Sequence, residues 1–306
     1  MCKYIFTIAT LCYNCSKTIE RVYNTLKSQT FPHNKFEWLI IDDCSSDNSE
    51  EVIKKFIKEA DFKIRYIKNE NNQMIPKNIR KAIELAQGEY FYGIGHDDAN
   101  TADLLEIVNN IFEKYQECCS VNFLCKDQFG NNLGKNFPKE GCLKHKEAFK
   151  WDYNKIGEIR GIWKSNLLKK YYIIPKIIDR LRYIPESYFW RKIGFELFDE
   201  KSFFLNKRLV VYYIEENSVS KDIREKYSEG FRFESLYFIN NYIKKQLLYN
   251  PKIYLKYLIK YIIHSKNKNF LEMLAEINNN LSRIMLILFY IPAIFLRRSY
   301  FNNKLR

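Results

Sequence analysis

Two acidic clusters each end a hydrophobic run in this chain. Trp38-Leu39-Ile40-Ile41 leads into Asp42-Asp43-Cys44-Ser45-Ser46-Asp47, and Tyr90-Phe91-Tyr92-Gly93-Ile94-Gly95 leads into His96-Asp97-Asp98. In open α/β sheets the ligand crevice lies beyond the carboxyl ends of the strands, so acids there face a ligand rather than the core. Two acidic edges in one crevice suit a base-reading group and a metal clamp for a nucleoside diphosphate. Taken singly, each cluster is equally a turn or a helix cap, and Asp47 before Asn48-Ser49-Glu50-Glu51 fits a cap.

The elements that would carry these acids alternate regularly. Tyr4 to Thr10 reads as a buried strand, Thr18 to Gln29 as an amphipathic helix, and Phe36 to Ile41 as a second strand. Ser49 to Lys58 is the next helix and Lys63 to Ile67 the third strand; Pro76 to Gln87 is a helix stopped by Gly88. Tyr90 to Ile94 is the fourth strand, and Ala102 to Tyr115 a helix. Such alternation calls for a parallel sheet with right-handed crossovers. The first turn, Leu11-Cys12-Tyr13-Asn14-Cys15, lacks a glycine-rich phosphate loop, and no Walker lysine loop occurs. Dinucleotide oxidoreductases and P-loop enzymes are therefore disfavoured.

From about Ser120 the pattern turns irregular, with short strand-like pieces at Val121 to Leu124 and Arg208 to Ile214 and a hairpin-like stretch through Gly130 and Gly134. Irregular, aromatic-rich segments beside a nucleotide-binding sheet are where acceptor specificity sits. Glu158 and Arg160, flanked by Gly157 and Gly161, are candidate substrate contacts, because Arg holds a diphosphate by bidentate bonds. A surface salt bridge between the two is the alternative. After Lys226 the chain reads as helical. The expected divisions are 1–118 as a nucleotide-sugar-binding half, 119–226 as an acceptor-binding half, and 227–306 as a basic helical region that associates with a membrane or a partner.

The chain has 306 residues and a net charge of +14. The surplus is uneven: Lys221 to Arg306 holds sixteen Lys/Arg against six Asp/Glu, so an anionic partner belongs to the tail. Lys252, Lys256 and Lys260 recur at one helical face, which suits an anionic surface or simply solvent. The apolar run Ile284 to Leu296, bracketed by Arg283 and Arg297-Arg298 and interrupted by Pro292, is too short to span a bilayer. It fits an interfacial anchor on an anionic membrane surface, with burial against a helix or a homodimer seam as alternatives. No nucleic-acid module is recognisable, and nucleic acid is not an expected partner. Cys12 and Cys15 have the two-residue gap of a zinc or redox pair, but no second pair or nearby His completes a zinc site, so the eight scattered cysteines read as free thiols, which fits a reducing compartment; no signal peptide is evident. The expected location is cytoplasmic, peripherally associated with the inner face of the cytoplasmic membrane.

Five motifs carry a family resemblance. Phe6-Thr7-Ile8-Ala9-Thr10-Leu11-Cys12-Tyr13-Asn14, Ser28-Gln29-Thr30-Phe31, Ile41-Asp42-Asp43-Cys44-Ser45-Ser46-Asp47-Asn48-Ser49, Ala86-Gln87-Gly88-Glu89-Tyr90 and His96-Asp97-Asp98 follow one another over the first hundred residues. Together they resemble the inverting nucleotide-sugar glycosyltransferases of family two. The resemblance implies an α/β, GT-A fold with a mostly parallel central sheet flanked by helices, here with a C-terminal helical extension. It implies that Leu11 and Tyr13 touch the nucleobase, that Asp43 accepts from the uracil N–H, and that Asp97 and Asp98 stand at the divalent-metal motif, for Mg²⁺ or Mn²⁺. Many members have Asp where this chain has Gly95, which puts one metal or ribose contact in doubt. Inversion needs a general base, and Glu186, before Ser187-Tyr188-Phe189-Trp190-Arg191, matches the acid that opens a short helix in the family. Trp190 is then a candidate substrate contact. Glu186 as an ordinary acid at a helix N-terminus is the alternative. The implied reaction moves a sugar, expected from a UDP-sugar, to a saccharide or lipid-linked saccharide in surface polysaccharide synthesis. A nucleotide-sugar-binding protein without activity is the competing reading.

Overall fold

The structure is a computed structural model that describes residues 2–181, 183–214 and 226–302, with side chains described at all of these except 154 and 297–302. Two compact units result: Met1–Ile174 with Glu196–Glu215, and Pro175–Phe195 with Glu216–Arg306.

The first unit is built on one sheet of nine strands. β1 (Tyr4–Cys12), β2 (Phe36–Asp42), β3 (Lys63–Lys68) and β4 (Gly88–Gly95) are joined by α1 (Glu20–Lys27), α2 (Ser49–Glu59) and α3 (Met74–Leu85). β5 (Ala99–Asn100), α4 (Leu104–Lys114), β6 (Cys118–Asp127), β7 (Gly141–Lys144), β8 (Ile159–Lys164) and β9 (Lys201–Tyr212) follow. The strand order is β3-β2-β1-β4-β8-β6-β9-β5, with β7 on β9. The first four strands pair in parallel, as the alternation of elements predicts. β2 is buried at every residue, the pattern of a strand covered on both faces. Phe6 and Ile8 of β1, Trp38 of β2 and Tyr92 of β4 share one hydrophobic core, all without exposed surface.

One buried acid fastens the near end of the sheet. Glu37 accepts from Thr7 Oγ1 at 2.7 Å, from the Gln87 N–H at 2.9 Å and from Arg65 Nη1 at 2.9 Å. A fully desolvated carboxylate is tolerable only when its oxygens are so engaged. Thr7 Oγ1 in turn accepts from the Gly88 N–H at 2.8 Å. Gly88 is held so close to β1 that a Cβ would sit 2.3 Å from the Thr7 nitrogen. That approach is the physical content of the Ala86-Gln87-Gly88 motif.

The irregular middle is more regular than its sequence suggests. β6 runs for 10 residues and β9 for 12, where only short pieces are expected. β8 and β7 have no counterpart in the sequence reading. Register shifts between β6 and β9 break the alternation, and a central mixed strand carries apolar residues on both faces. The structure also corrects the reading of free thiols. It pairs Cys12 with Cys15 and Cys118 with Cys142, whose Cα atoms stand 5.7 and 6.7 Å apart, and leaves Cys2, Cys44, Cys119 and Cys125 free. The inference from scattered thiols to a reducing compartment loses its basis.

The second unit is helical. Its helices are Ile178–Leu181, Glu186–Glu196, Ser228–Asn241, Ile243–Tyr249, Pro251–His264, Phe270–Glu276 and Asn280–Asn302. Aromatic packing holds it: Phe195 stacks on Tyr242 at 4.5 Å and Phe238 on Tyr257 at 4.8 Å. Two expectations are corrected here. Pro292 does not interrupt the last helix, which runs through it; and Lys260 is not on a free lysine face, because it bonds the buried Glu234 at 2.5 Å. A buried carboxylate without a partner is costly, and this one draws Lys260 inward. The Arg297-Arg298 side chains and Lys221 lie outside the described residues. Among the described residues no helix is long and apolar enough to cross a membrane.

Two glycines of β4 make opposite predictions. Gly88→Ala forces the new methyl into the β1 backbone and lowers stability by about 3 kcal/mol. Gly93→Ala meets only the ring edge of Phe91 at 4.0 Å and changes stability by less than about 0.5 kcal/mol. Urea denaturation of the two variants checks both.

Candidate functional site

The carboxyl ends of β1, β2 and β4 lie side by side, since Leu11 is in register with Ile41 on one flank and with Gly95 on the other. The loops leaving these strands therefore start at one edge. β8 is antiparallel to β4, so its first residues, Ile159 and Arg160, come to the same edge. Leu11, Tyr13, Asp43, Asp97, Asp98, Glu158 and Arg160 thus gather in the first unit. Glu186 and Trp190 belong to the second, where Glu186 is the exposed first residue of its helix and Trp190 is half-buried one turn on.

Three residues with left-handed backbone mark this edge: Asn14 at φ 52°, Cys44 at φ 67° and Met74 at φ 66°. Only asparagine adopts that region readily, and such strain persists where surrounding bonds impose it. The bonds are visible. Asp43 accepts from the Gln73 N–H at 2.7 Å, the Met74 N–H at 3.0 Å and Asn69 Nδ2 at 3.0 Å. A carboxylate offers about four acceptor positions, so a position on Oδ2 remains for a ligand. Asp43 is thus both a loop former and a candidate base reader. Tyr13 is 52% exposed, free to lie against a base.

The first two loops are latched to each other. Ser45 Oγ accepts from the Asn14 N–H at 2.9 Å, Asn14 Oδ1 accepts from the Ser46 N–H at 2.9 Å, and Ser49 Oγ accepts from the Cys15 N–H at 2.8 Å. Asp47 takes the Ser16 N–H at 3.1 Å and the Ser49 N–H at 3.0 Å, bonding the first residue of α2 and crossing between the loops, although the N-cap itself is Asn48 rather than the expected Asp47. Burial alone would push the Asp47 carboxyl up; the donors of Ser16 and Ser49 outweigh it and bring the group down to about 2.

Asp97 and Asp98 follow β4 directly. Asp98 is 2% exposed, accepts from the Tyr213 N–H at 3.3 Å, and is paired with Arg160 Nη2 at 3.4 Å. Burial raises its carboxyl above the ordinary range, Arg160 pulls it back, and the neighbouring Asp97 charge raises it further. Arg160 also binds Glu158 at 3.0 Å, so the salt bridge between the two forms. A Cβ on Gly95 would lie 2.8 Å from Asp97 Oδ1 and 3.1 Å from Asp98 Oδ2. Glycine here gives the two carboxylates the room that an Asp side chain would take. His96 is turned to Thr18 Oγ1 at 2.8 Å. Among the described residues no group of three or more His, Cys, Asp and Glu side chains assembles for a metal.

Sequence spacing missed several of these parts. Arg21, on α1, donates to the Asp97 carbonyl at 3.0 Å and stacks on the Tyr213 ring at 4.1 Å. Asn14 and Ser45 carry the latch. Their only sequence signal was membership of the acid- and Asn-bearing loops.

Acids and a guanidinium thus stand together at the carboxyl edge of a mixed α/β sheet. The family model described as glycosyl transferase family 2 matches residues 7–166, and the chain belongs to that family. Among curated relatives it is 30% identical over 94 residues to the poly(ribitol-phosphate) beta-N-acetylglucosaminyltransferase TarS of Staphylococcus aureus, covering 30% of this chain and 16% of TarS. It is 30% identical over 105 residues to the putative teichuronic acid biosynthesis glycosyltransferase TuaG of Bacillus subtilis, covering 34% of this chain and 40% of TuaG. Less than half of either relative is matched. Among solved structures, S. aureus TarS 1–349 in complex with UDP-GlcNAc superposes with a TM-score of 0.62 at 16% identity, over 96% of this chain and 91% of that one. The mannosyltransferase PcManGT of Pyrobaculum calidifontis, in complex with GDP-Man and Mn²⁺, gives 0.57 at 14% identity over 98% and 84%. At such identities the likeness shows the fold.

Asp47 yields a pH prediction. Its carboxyl is lower in the folded chain than the ordinary 3.8, so the stability it contributes is present above that value and is lost as pH falls toward about 2. Asp47→Asn should be less stable than the unaltered chain at pH 7, with the gap narrowing as the medium is acidified from about pH 4. Urea midpoints of the two proteins across that range check it.

Proposed function

We propose that this chain is an inverting glycosyltransferase that moves a sugar from a UDP-sugar to a saccharide or lipid-linked saccharide in surface polysaccharide synthesis. The observation that carries the reading is the cluster of Asp97, Asp98 and Arg160 at the carboxyl end of β4, with Leu11 on the neighbouring β1 and Asp43 just past the end of β2, the next strand out. Leu11 and Tyr13 bound the nucleobase and Asp43 takes the uracil N–H at its remaining acceptor position. The names of two relatives, a poly(ribitol-phosphate) beta-N-acetylglucosaminyltransferase and a putative teichuronic acid biosynthesis glycosyltransferase, support the polysaccharide setting.

The leaving group is a diphosphate, and its developing charge must be neutralised for the glycosidic carbon to be released. Asp97 and Asp98 fit Mg²⁺ or Mn²⁺: both are hard oxygen donors, their mutual repulsion favours a cation, and a diphosphate and water would complete the oxygen shell. Among the described residues Asp97 carries no ion pair like that of Asp98 with Arg160, so it is the more open donor. The ion would supply Lewis-acid stabilisation of the leaving phosphates. Arg160 adds a fixed positive charge beside the same carboxylates. Glu186 takes the proton of the acceptor hydroxyl as that oxygen attacks the anomeric carbon, and Trp190 offers a stacking face for the acceptor.

The last helix supports a peripheral membrane location. Leu281, Ile284, Leu288, Ile291 and Phe295 form an outward stripe, each 47% exposed or more, while Ser282, Leu286 and Ala293 face inward with at most 1% exposed. An exposed apolar helix face of this extent suits an interface. Lys252 and Lys256 remain exposed and could each add about 1 kcal/mol near anionic headgroups.

Hydrolysis of a panel of UDP-sugars, with and without chelator, tests the reaction. Activity should need the metal and fall to background in Asp98→Asn with the fold intact by circular dichroism; activity indifferent to both would sink the metal assignment, and no turnover with bound UDP would favour a nucleotide-sugar-binding protein. Glu186→Gln should keep UDP affinity and lose at least about a hundredfold in transfer. Transfer at the original rate would remove Glu186 from the chemistry. On the membrane, the full chain should float with phosphatidylglycerol vesicles at low salt and be released by high salt or alkaline carbonate; failure to float rules the anchor out.

A further inference from the structure

The second unit contains a cavity of about 390 Å³ that none of the donor-site reasoning uses. Five cations line it, Arg180, Lys226, Arg232, Lys266 and Lys268, against one acid, Glu229. Arg232 and Lys268 share Glu276, at 2.6 and 3.4 Å. Arg180 and Lys226 have no carboxylate partner among the described residues, so the lining keeps a clear positive excess. The floor is polar as well: His264 and Ser265 line it at 3% and 1% exposed, and Ser228 Oγ bonds His264 Nδ1 at 2.9 Å. The 14-residue helix Ser228–Asn241 starts in this lining, and no side chain caps its first turn. Its positive dipole end adds to the excess.

Like charges are brought around this half-open cavity at a cost, which an anion of matching size offsets. The volume is within the range of small-molecule sites, and the polar floor with two cations that have no carboxylate partner among the described residues favours phosphate over an apolar ligand. We propose that this cavity binds a phosphate or diphosphate group carried by the acceptor. The identity of the bearer rests on the transferase reading; the affinity for phosphate does not. The bearer is either a soluble phosphodiester chain or a diphosphate-linked lipid, and the chemistry recognised is the same.

The test is calorimetric titration of the full chain with pyrophosphate and with glycerol 3-phosphate, each with and without saturating UDP. The unaltered protein should bind pyrophosphate in the presence of UDP, with affinity falling as salt rises. Arg180→Gln/Lys226→Gln should weaken that binding at least about tenfold while leaving UDP affinity unchanged, since each removed cation takes a charge-assisted bond. Both residues are at the surface of the cavity, and the UDP titration verifies that the variant is folded. Binding of glycerol 3-phosphate assigns the site to a soluble chain. Capture only by phosphatidylcholine vesicles carrying farnesyl diphosphate, lost in the variant, assigns it to a lipid-linked one. No pyrophosphate binding up to about 10 mM, or equal affinity in the variant, overturns the proposal. Absence of UDP binding would instead defeat the donor reading, with the titration lacking UDP still deciding the cavity.

Discussion

The close approach of Gly88 to Thr7 sets the register of β1 against β4, and the functional edge inherits that register. The eight residues of β4 carry it about 25 Å to the opposite end of the strand. A slip of one residue would turn every side chain of β4 to the other face and carry Asp97 and Asp98 out of line with Leu11. Glu37 reinforces the register by holding Thr7, Gln87 and Arg65 together at 0% exposure. Packing at one end of the sheet therefore acts on chemistry at the other through strand geometry alone.

At the functional edge, bonds that could have served stability are spent on placement. Asp98 is buried against its own charge, with Arg160 offsetting part of the cost and Asp97 adding to it. Left-handed Cys44 and Met74 add strain that Asp43 and its neighbours impose. Carboxylates shifted in opposite directions, buried Asp98 upward and half-buried Asp47 downward, mark the division of labour. Asp47 is fixed in its ionised form to hold loops, whereas Asp98 is paired with Arg160 beside the Asp97 charge.

The parallel half of the fold was legible because its strands and helices obey simple periods, and its acids stand at strand ends where topology makes them converge. Leu11, Tyr13, Asp43, Asp97, Asp98, Glu158 and Arg160 all reach one edge, as position along the chain implied. β7 and β8 were illegible because they are short and mixed in polarity, and β6 and β9 were read too short because bulges shift their pairing. Arg21 and the Asn14 to Ser45 latch were missed because their partners lie far away in sequence. The loss of Lys260 from its lysine face follows from Glu234, whose burial cannot be seen in a helical repeat. The pairing of Cys12 with Cys15 was passed over because the two-residue gap was weighed only as a zinc or redox signal.

The central claim is that the carboxyl edge of β1, β2 and β4 holds a nucleoside diphosphate. A crystal structure of the full chain with UDP and Mn²⁺ tests it directly. The account predicts the uracil between Tyr13 and Asp43, with its N–H on Asp43 Oδ2, and the diphosphate against Asp97, Asp98 and Arg160. Nucleotide density away from that edge, or a diphosphate that touches none of these three side chains, would contradict it.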